Sequence, residues 1–136
     1  MRTFTLPPLS LSLLLLLSWP PLPARAQAAM TLGAPTEFAA DAMPLEDDAL
    51  RERVAGKVFA VKPADGSTWR LEYKANGYMF IDISTGFRDD GTWKVADGKL
   101  CSALKRIPPG CGEVRSKGDT LFLKRTNGEI VALTIK

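Results

Sequence analysis

Six two-residue turn signals divide the C-terminal part of the chain into short segments, and they constrain the fold more than any other feature. Asn-Gly and Asp-Gly favour tight hairpins, because a type I′ turn requires a positive φ at both central residues. The segments between the signals are rich in β-branched and aromatic residues, as β-strands are. Their spacing predicts an antiparallel meander. The six pairs are Asp65-Gly66, Asn76-Gly77, Asp90-Gly91, Asp97-Gly98, Gly118-Asp119 and Asn127-Gly128.

The regular alternation of turn signals and strand-like segments predicts a mostly β fold. So many short strands must curl or close, because an open flat sheet would leave its edges unpaired. We therefore expect a small antiparallel seven- to eight-stranded meander that closes into a barrel or half-barrel. In the second strand, alternation directs Trp69, Leu71 and Tyr73 to one face, and the charged residues between them to water. The expected strands lie near residues 57–62, 67–74, 77–84, 87–95, 99–103, 111–115, 120–125 and 129–135.

One short helix is expected before the strands, at residues 45–54. Its acidic residues come first and its arginines last, an order that complements the helix dipole. Leu50 and Val54 belong to one apolar stripe, and Gly56 is placed to end the helix. Because ten residues are too few for an independent helix, we expect it to pack over one mouth or edge of the sheet. Residues 29–44 lack periodicity and are interpreted as a flexible arm, so residues 45–136 form the domain.

The first 28 residues have the organisation of a secretory signal peptide. Arg2 supplies the positive charge, residues 9–19 form an apolar run, and three prolines follow before two small-x-small cleavage sites. The apolar run has about half of the roughly 20 residues that a membrane-spanning helix needs. We expect cleavage after Ala28, with Ala26 as the alternative. The mature chain is then periplasmic or secreted, without a membrane span.

Composition restricts the chemistry available to this chain. It contains no histidine, which excludes Ser-His-Asp and Cys-His catalysis and every zinc site that uses histidine. Two cysteines cannot build a Cys₄ metal site or an iron–sulfur cluster. We therefore predict a protein that is not an enzyme and uses no metal or cofactor.

The charge of the mature chain argues against a nucleic-acid partner. Residues 1–28 contain two of the 18 basic residues and none of the 15 acidic ones, so the mature net charge falls to +1. A net charge so close to zero lacks the excess of basic residues that is typical of a nucleic-acid-binding domain. The aromatic residues of the strands are accordingly expected in the core rather than on a stacking platform. The acidic pairs Asp47/Asp48 and Asp89/Asp90 are read as solvated side chains of a helix and a turn.

Cys101 and Cys111 predict a structural disulfide, because an exported chain reaches an oxidising compartment. The closed loop, residues 102–110, would join two adjacent strands. On the chain-entropy model a loop of this length contributes roughly 2.5–3 kcal/mol to stability. That is a large share of the total for so small a core.

The disulfide loop is the first candidate binding site. It presents Lys105, Arg106 and Ile107 ahead of two prolines inside a covalent ring. A preorganised ring loses little entropy on binding, and its bases can steer an acidic partner. We predict a protein-interaction module that binds an envelope or extracellular protein through this loop.

A small apolar ligand is the alternative partner, as in a binder of lipocalin-like type. Barrels commonly hold such ligands at their mouths. An eight-stranded barrel is nearly filled by its own side chains, so a cavity is not assumed. The aromatic residues considered for the mouth are Trp69, Tyr78 and Trp93.

Two resemblances extend this interpretation. Residues 107–111, Ile-Pro-Pro-Gly-Cys, resemble the end of the reactive loop of Bowman–Birk-type serine-protease inhibitors. The resemblance implies inhibition of a trypsin-like protease with Lys105 in its specificity pocket, although Arg106 stands where that family has serine. More broadly, residues 50–136 resemble short secreted proteobacterial proteins of unknown function, through Gly56-Lys57-Val58-Phe59, Gly91-Thr92-Trp93, Leu100-Cys101 and Cys111. That resemblance implies an exported β-domain and assigns no catalytic residue.

Overall fold

The computed structural model describes residues 33–136. The expected signal peptide and its cleavage sites lie outside the described residues. Eight strands form a closed antiparallel barrel, and a ninth, very short strand is attached to its outside. The predicted barrel with one short helix is therefore confirmed. The elements are β1 Met43–Pro44, α1 Asp47–Val54, β2 Lys57–Val61, β3 Trp69–Tyr73, β4 Tyr78–Ile83, β5 Arg88–Ala96, β6 Lys99–Leu104, β7 Gly110–Lys117, β8 Thr120–Lys124 and β9 Ile130–Ile135.

Closure occurs between the first and last strands of the meander. Each strand from β2 to β9 pairs with its neighbour in the chain, and β2 also pairs with β9 through Phe59 and Ile135. Side chains alternate between the barrel interior and its surface, as expected for two-residue periodicity. In β3 the interior residues Leu71 and Tyr73 are buried, while Arg70 and Glu72 lie on the outer face.

The helix covers one end of the barrel. Leu50 and Val54 are fully buried in the core cluster. Asp47 accepts hydrogen bonds from the backbone N–H groups of Asp97 and Gly98, which ties the start of the helix to the β5–β6 turn. The helix was predicted over residues 45–54 and begins two residues later. Along residues 33–136, the structure has no helix of the length and apolarity that crossing a bilayer requires.

Five of the six turn signals lie in turns, and one does not. Asp90-Gly91 was expected to be a turn but lies inside β5, and the β4–β5 connection is made by residues 84–87. Among the described residues only Asp97-Gly98 has positive φ at both positions, 54° and 70°, as a type I′ turn requires. At Asn76-Gly77 only the glycine has positive φ, because a longer loop of residues 74–77 connects the strands.

The described part of the expected arm, residues 33–44, contacts the barrel. Met43 and Pro44 form β1 on the edge of β7. The backbone N–H of Ile130 donates to the carbonyl of Pro35, and the Phe38 ring lies 4.8 Å from the Arg115 guanidinium carbon. Sequence periodicity missed these contacts because most of them use the backbone, which carries no side-chain signal.

Candidate functional site

The end of the barrel opposite the helix is open and apolar. The side chains of Trp69, Ile83, Phe87, Leu104 and Leu123 pack against the core there but remain partly exposed. They come from five different strands or their flanking turns, so the apolar ring surrounds the mouth. Partly exposed apolar side chains that converge around a concave opening are typical of binding sites.

A cavity of about 230 Å³ lies beneath this mouth. Its wall is mainly aliphatic and includes Leu71, Met79 and Ile81, and the buried ring of Tyr73 also lines it. Burial raises the pKa of the Tyr73 hydroxyl well above its ordinary value of 10.0, so the phenol stays neutral. Because these wall side chains are only 2–5% exposed, the accessible space of the cavity lies at the rim rather than deep in the barrel interior.

The disulfide between Cys101 and Cys111 is present, as predicted. The two residues are directly opposite each other on β6 and β7, with their Cα atoms 3.9 Å apart. Both side chains lie on the outer face of the barrel, because Leu100 and Ser102 alternate with Cys101 toward the interior. The bridge thus holds the two strands that carry the disulfide loop, and Cys111 also lines the cavity at its rim.

Asp89 holds this loop against the barrel from the inside. Its carboxylate is 8% exposed and accepts the backbone N–H of Arg106 at 2.8 Å and that of Asp90 at 2.9 Å. Burial alone would raise the pKa of Asp89, but the amide hydrogen bonds from Arg106, Asp90 and Lys105 outweigh burial and hold it below its ordinary value of 3.8. The neighbouring Asp90 points outward, so the two carboxylates do not act together.

We expect Asp89→Asn to loosen the disulfide loop in a pH-dependent way. A carboxyl group with a depressed folded-state pKa contributes stability above its unfolded pKa of about 3.9, and this contribution is lost as the pH falls through the folded value. At pH 7 the Arg106 amide of the variant should exchange with deuterium about tenfold faster than that of the wild type. The difference should shrink below pH 4. Equal exchange rates at pH 7 would contradict this role of Asp89.

The three loop residues proposed from the sequence are exposed, and their side chains differ in their surroundings. Lys105 forms an ion pair of 2.6 Å with Asp90, and its hydrogen bond to this carboxylate, together with the carboxylate charge, raises the pKa of the lysine. The guanidinium carbon of Arg106 lies 4.6 Å from the centre of the Phe87 ring. Ile107 is 38% exposed and lies at the rim of the cavity. The loop therefore presents an apolar residue next to two anchored cations.

Of the three aromatic residues proposed for the mouth, only Trp69 lies there. Its indole N–H donates to Ser67 at 2.9 Å, and the Arg125 guanidinium carbon lies 4.3 Å from its ring centre. Arg125 is in turn paired with Glu129, a buried acid that also accepts the backbone N–H of Ala64. This arrangement fixes one side of the rim.

Tyr78 and Trp93 lie away from the open mouth, which corrects the expectation. Tyr78 is 55% exposed on the outer face, at the start of β4 near the helix-covered end. Trp93 is buried in the core, where its indole N–H donates to the carbonyl of Lys74 and its ring meets Tyr73 edge-on. Strand direction and register decide which end of a barrel each residue reaches, and neither was available from composition.

Sequence reasoning missed Asp89, Leu104 and the cavity residues as parts of one site. Asp89 was predicted to be solvent-exposed together with Asp90, because Asp90-Gly91 was expected to form a turn. The alternation within residues 99–104 does carry a signal for Leu104, since it shares a face with the buried Leu100.

Together these features define a closed antiparallel β-barrel with a helix over one end and a disulfide-bridged loop at the open end. A scan against protein-family models found no match, and searches of curated proteins and of solved structures found none either.

Proposed function

We propose that the protein is an exported, non-catalytic binding protein that binds a protein partner through the disulfide loop at the open end of the barrel. Export is supported by the signal-peptide pattern of residues 1–28 and by the disulfide, which is typical of oxidising compartments. The absence of histidine from the chain supports a non-catalytic role.

The observation that carries the proposal is the way the loop is fixed. The Cys101–Cys111 bridge, the Asp89 carboxylate and the stacking of Arg106 on Phe87 hold the loop at three separate points. A loop fixed before binding loses less conformational entropy when a partner docks. Such rigidity around an exposed Ile107 is more than a connecting hairpin needs.

The chemistry of the loop indicates the kind of partner. Ile107 and the prolines at 108 and 109 form an exposed apolar tip. Lys105 retains a side-chain exposure of 70% despite its ion pair, so its charge remains available. We propose a partner that has an apolar pocket for Ile107 and acidic groups opposite Lys105 and Arg106. The inhibitor interpretation of this loop, with Lys105 in a protease pocket, stays a prediction.

Ile107→Asp should weaken binding of this partner at least tenfold, because a charge replaces the apolar contact at the centre of the surface. The matched control is Ile135→Asp, which introduces the same change at an exposed isoleucine near the helix-covered end. Envelope proteins are cross-linked to each variant, and the affinity of every captured protein is then measured with purified components. A partner that binds the wild type and Ile135→Asp but not Ile107→Asp is the expected result.

The double variant Lys105→Ala, Arg106→Ala separates binding from stability. Its melting temperature should stay within about 2 °C of the wild type, because exposed charges contribute little to stability. Its affinity for the captured partner should fall. A partner whose affinity is unchanged by both the double variant and Ile107→Asp would exclude the loop as the contact surface.

A further inference from the structure

A second concave surface lies on the outer face of the barrel, along β4. It has a volume of about 680 Å³ and extends from Lys74 at the end of β3 to Arg106 in the disulfide loop. Phe80 lies in its floor with 43% of its surface exposed. We call this surface the β4 groove. A large aromatic side chain left exposed in a concave surface is typical of a binding site.

Strand register places a carboxylate on each side of Phe80. Its partner on β3 is Glu72, and its partner on β5 is Asp90. All three side chains lie on the outer face, because each of them alternates with buried residues of its own strand. The aromatic ring therefore has hydrogen-bond acceptors on both sides.

Each of these two carboxylates is paired with cations that also line the groove. Glu72 forms ion pairs with Arg70, at 2.9 Å, and with Lys74. Asp90 forms its ion pair with Lys105, at 2.6 Å. Hydrogen bonds from Lys74 and Arg70 hold the pKa of Glu72 below its ordinary value of 4.5, so this carboxylate is charged at neutral pH. Both walls of the groove thus present donors next to acceptors.

The balance of charge in the groove limits the class of its occupant. Five cationic and four acidic side chains line it, so its net charge is only +1. A polyanion would approach four carboxylates, and an apolar ligand would remove charged groups from water without replacing their hydrogen bonds. A polyhydroxylated molecule meets neither obstacle, because every hydroxyl group both donates and accepts hydrogen bonds.

We propose that the β4 groove binds a short oligosaccharide of β-linked pyranose units. The C–H face of one pyranose ring lies on Phe80, and its equatorial hydroxyl groups reach the carboxylates and cations of both walls. Such a chain is nearly straight, as the groove is where it follows β3. Because Phe80 and Glu72 lie outside the disulfide loop, this proposal does not rest on the protein partner proposed above.

The dimensions of the groove set the length of the oligosaccharide. The groove follows β3 from Arg70 to Lys74, which corresponds to about 13 Å of strand. At protein packing density each non-hydrogen atom needs roughly 20 Å³, so 680 Å³ holds at most about 34 such atoms. Cellotriose, a straight chain of three β-linked glucose units, has this number of non-hydrogen atoms.

Cellotriose is therefore the probe, and its titration into the purified protein is followed by NMR. The groove contacts only one face of the ligand, so we expect a Kd of roughly 1 mM. Phe80→Ala should weaken binding about tenfold. Phe122→Ala is the matched control, because it removes the same ring from the outer face of β8, on the opposite side of the barrel, and should leave the affinity unchanged. An unchanged affinity in Phe80→Ala would overturn the proposal.

Asp90→Asn distinguishes a saccharide from an acidic peptide. Loss of the charged acceptor should weaken cellotriose binding about three- to tenfold, whereas an anionic ligand would bind this variant more tightly, since Lys105 loses its counter-ion. The control Asp119→Asn removes the same charge from an exposed turn and should change nothing. A hexaglutamate peptide that binds the wild type more tightly than cellotriose, and Asp90→Asn more tightly still, would overturn the assignment of a saccharide.

Nuclear Overhauser effects in the wild type test the proposal without any variant. The axial protons of cellotriose should give intermolecular effects to the Phe80 ring. The two proposals also fail separately, because Ile107→Asp should retain cellotriose binding and Phe80→Ala should retain binding of the protein partner. Effects confined to the open mouth, such as those to the Trp69 ring, or no saturable binding of cellotriose, would overturn the assignment of the β4 groove.

Discussion

Gly91→Ala should destabilise the protein by about 3 kcal/mol, because the barrel has no room for a side chain at this position. A Cβ atom built on Gly91 would lie 2.0 Å from the carbonyl oxygen of Ala103 and 2.8 Å from the Cα of Leu104. Both atoms belong to the backbone of β6, so the contact cannot be relieved by rotating a side chain. For a domain of this size the melting temperature should fall by roughly 12–20 °C in a calorimetric scan.

Two further glycines test whether this effect comes from the close approach of strands. Gly112→Ala should also be strongly destabilising, since its Cβ would lie 2.4 Å from the carbonyl oxygen of Lys124. Gly33→Ala is the control, because within residues 33–136 no atom beyond Gly33 and its chain neighbours lies within 4 Å of the added carbon. A Gly91→Ala melting temperature as close to the wild type as that of Gly33→Ala would show that β5 and β6 do not approach so closely.

Removal of the disulfide should give the second large effect. The 10-residue separation between Cys101 and Cys111 corresponds to a loss of roughly 2.5–3 kcal/mol on the chain-entropy model. The double variant Cys101→Ala, Cys111→Ala should therefore melt about 10–20 °C below the oxidised wild type. The bridge connects neighbouring strands of the closed barrel, so its loss frees the loop in the unfolded chain and loosens the open end in the folded one.

Reduction of the wild type provides the matched control for this prediction. The reduced wild type should melt close to the double alanine variant, and reductant should not change the melting temperature of the variant itself. Hydrogen exchange at Arg106 should remain partly protected in both, since the Asp89 hydrogen bond does not depend on the bridge. An unchanged melting temperature on full reduction would contradict the stabilising role of the disulfide.

Much of the fold could be predicted from local sequence. Alternation in residues 69–73 identified the interior side chains Leu71 and Tyr73, because two-residue periodicity is a property of any extended strand. Gly56 ended the helix and Asp97-Gly98 formed a type I′ turn, because positive φ is a local requirement that few residues meet. The disulfide followed from having only two cysteines.

The sequence-based prediction failed where one local sequence signal is compatible with two different structures. Gly91 was read as a turn residue, yet it lies within β5 and pairs with both Met79 and Leu104. Glycine permits a tight turn and also permits two backbones to approach closely. The sequence alone does not distinguish these uses, because the atoms that Gly91 approaches belong to Ala103 and Leu104, twelve and thirteen residues away in the chain.

The candidate site depended on tertiary structure more than the fold did. Sequence located the exposed loop residues Lys105 to Ile107, because prolines and charges mark a surface loop. Only the closed barrel decided that Trp69 lies at the open mouth while Tyr78 and Trp93 do not, and that Asp89 holds the Arg106 amide. The sequence by itself thus determined the strands, most of the turns and the disulfide through interactions between near neighbours. Which residues share an end of the barrel depends on strand order and register, which arise only when distant segments pair.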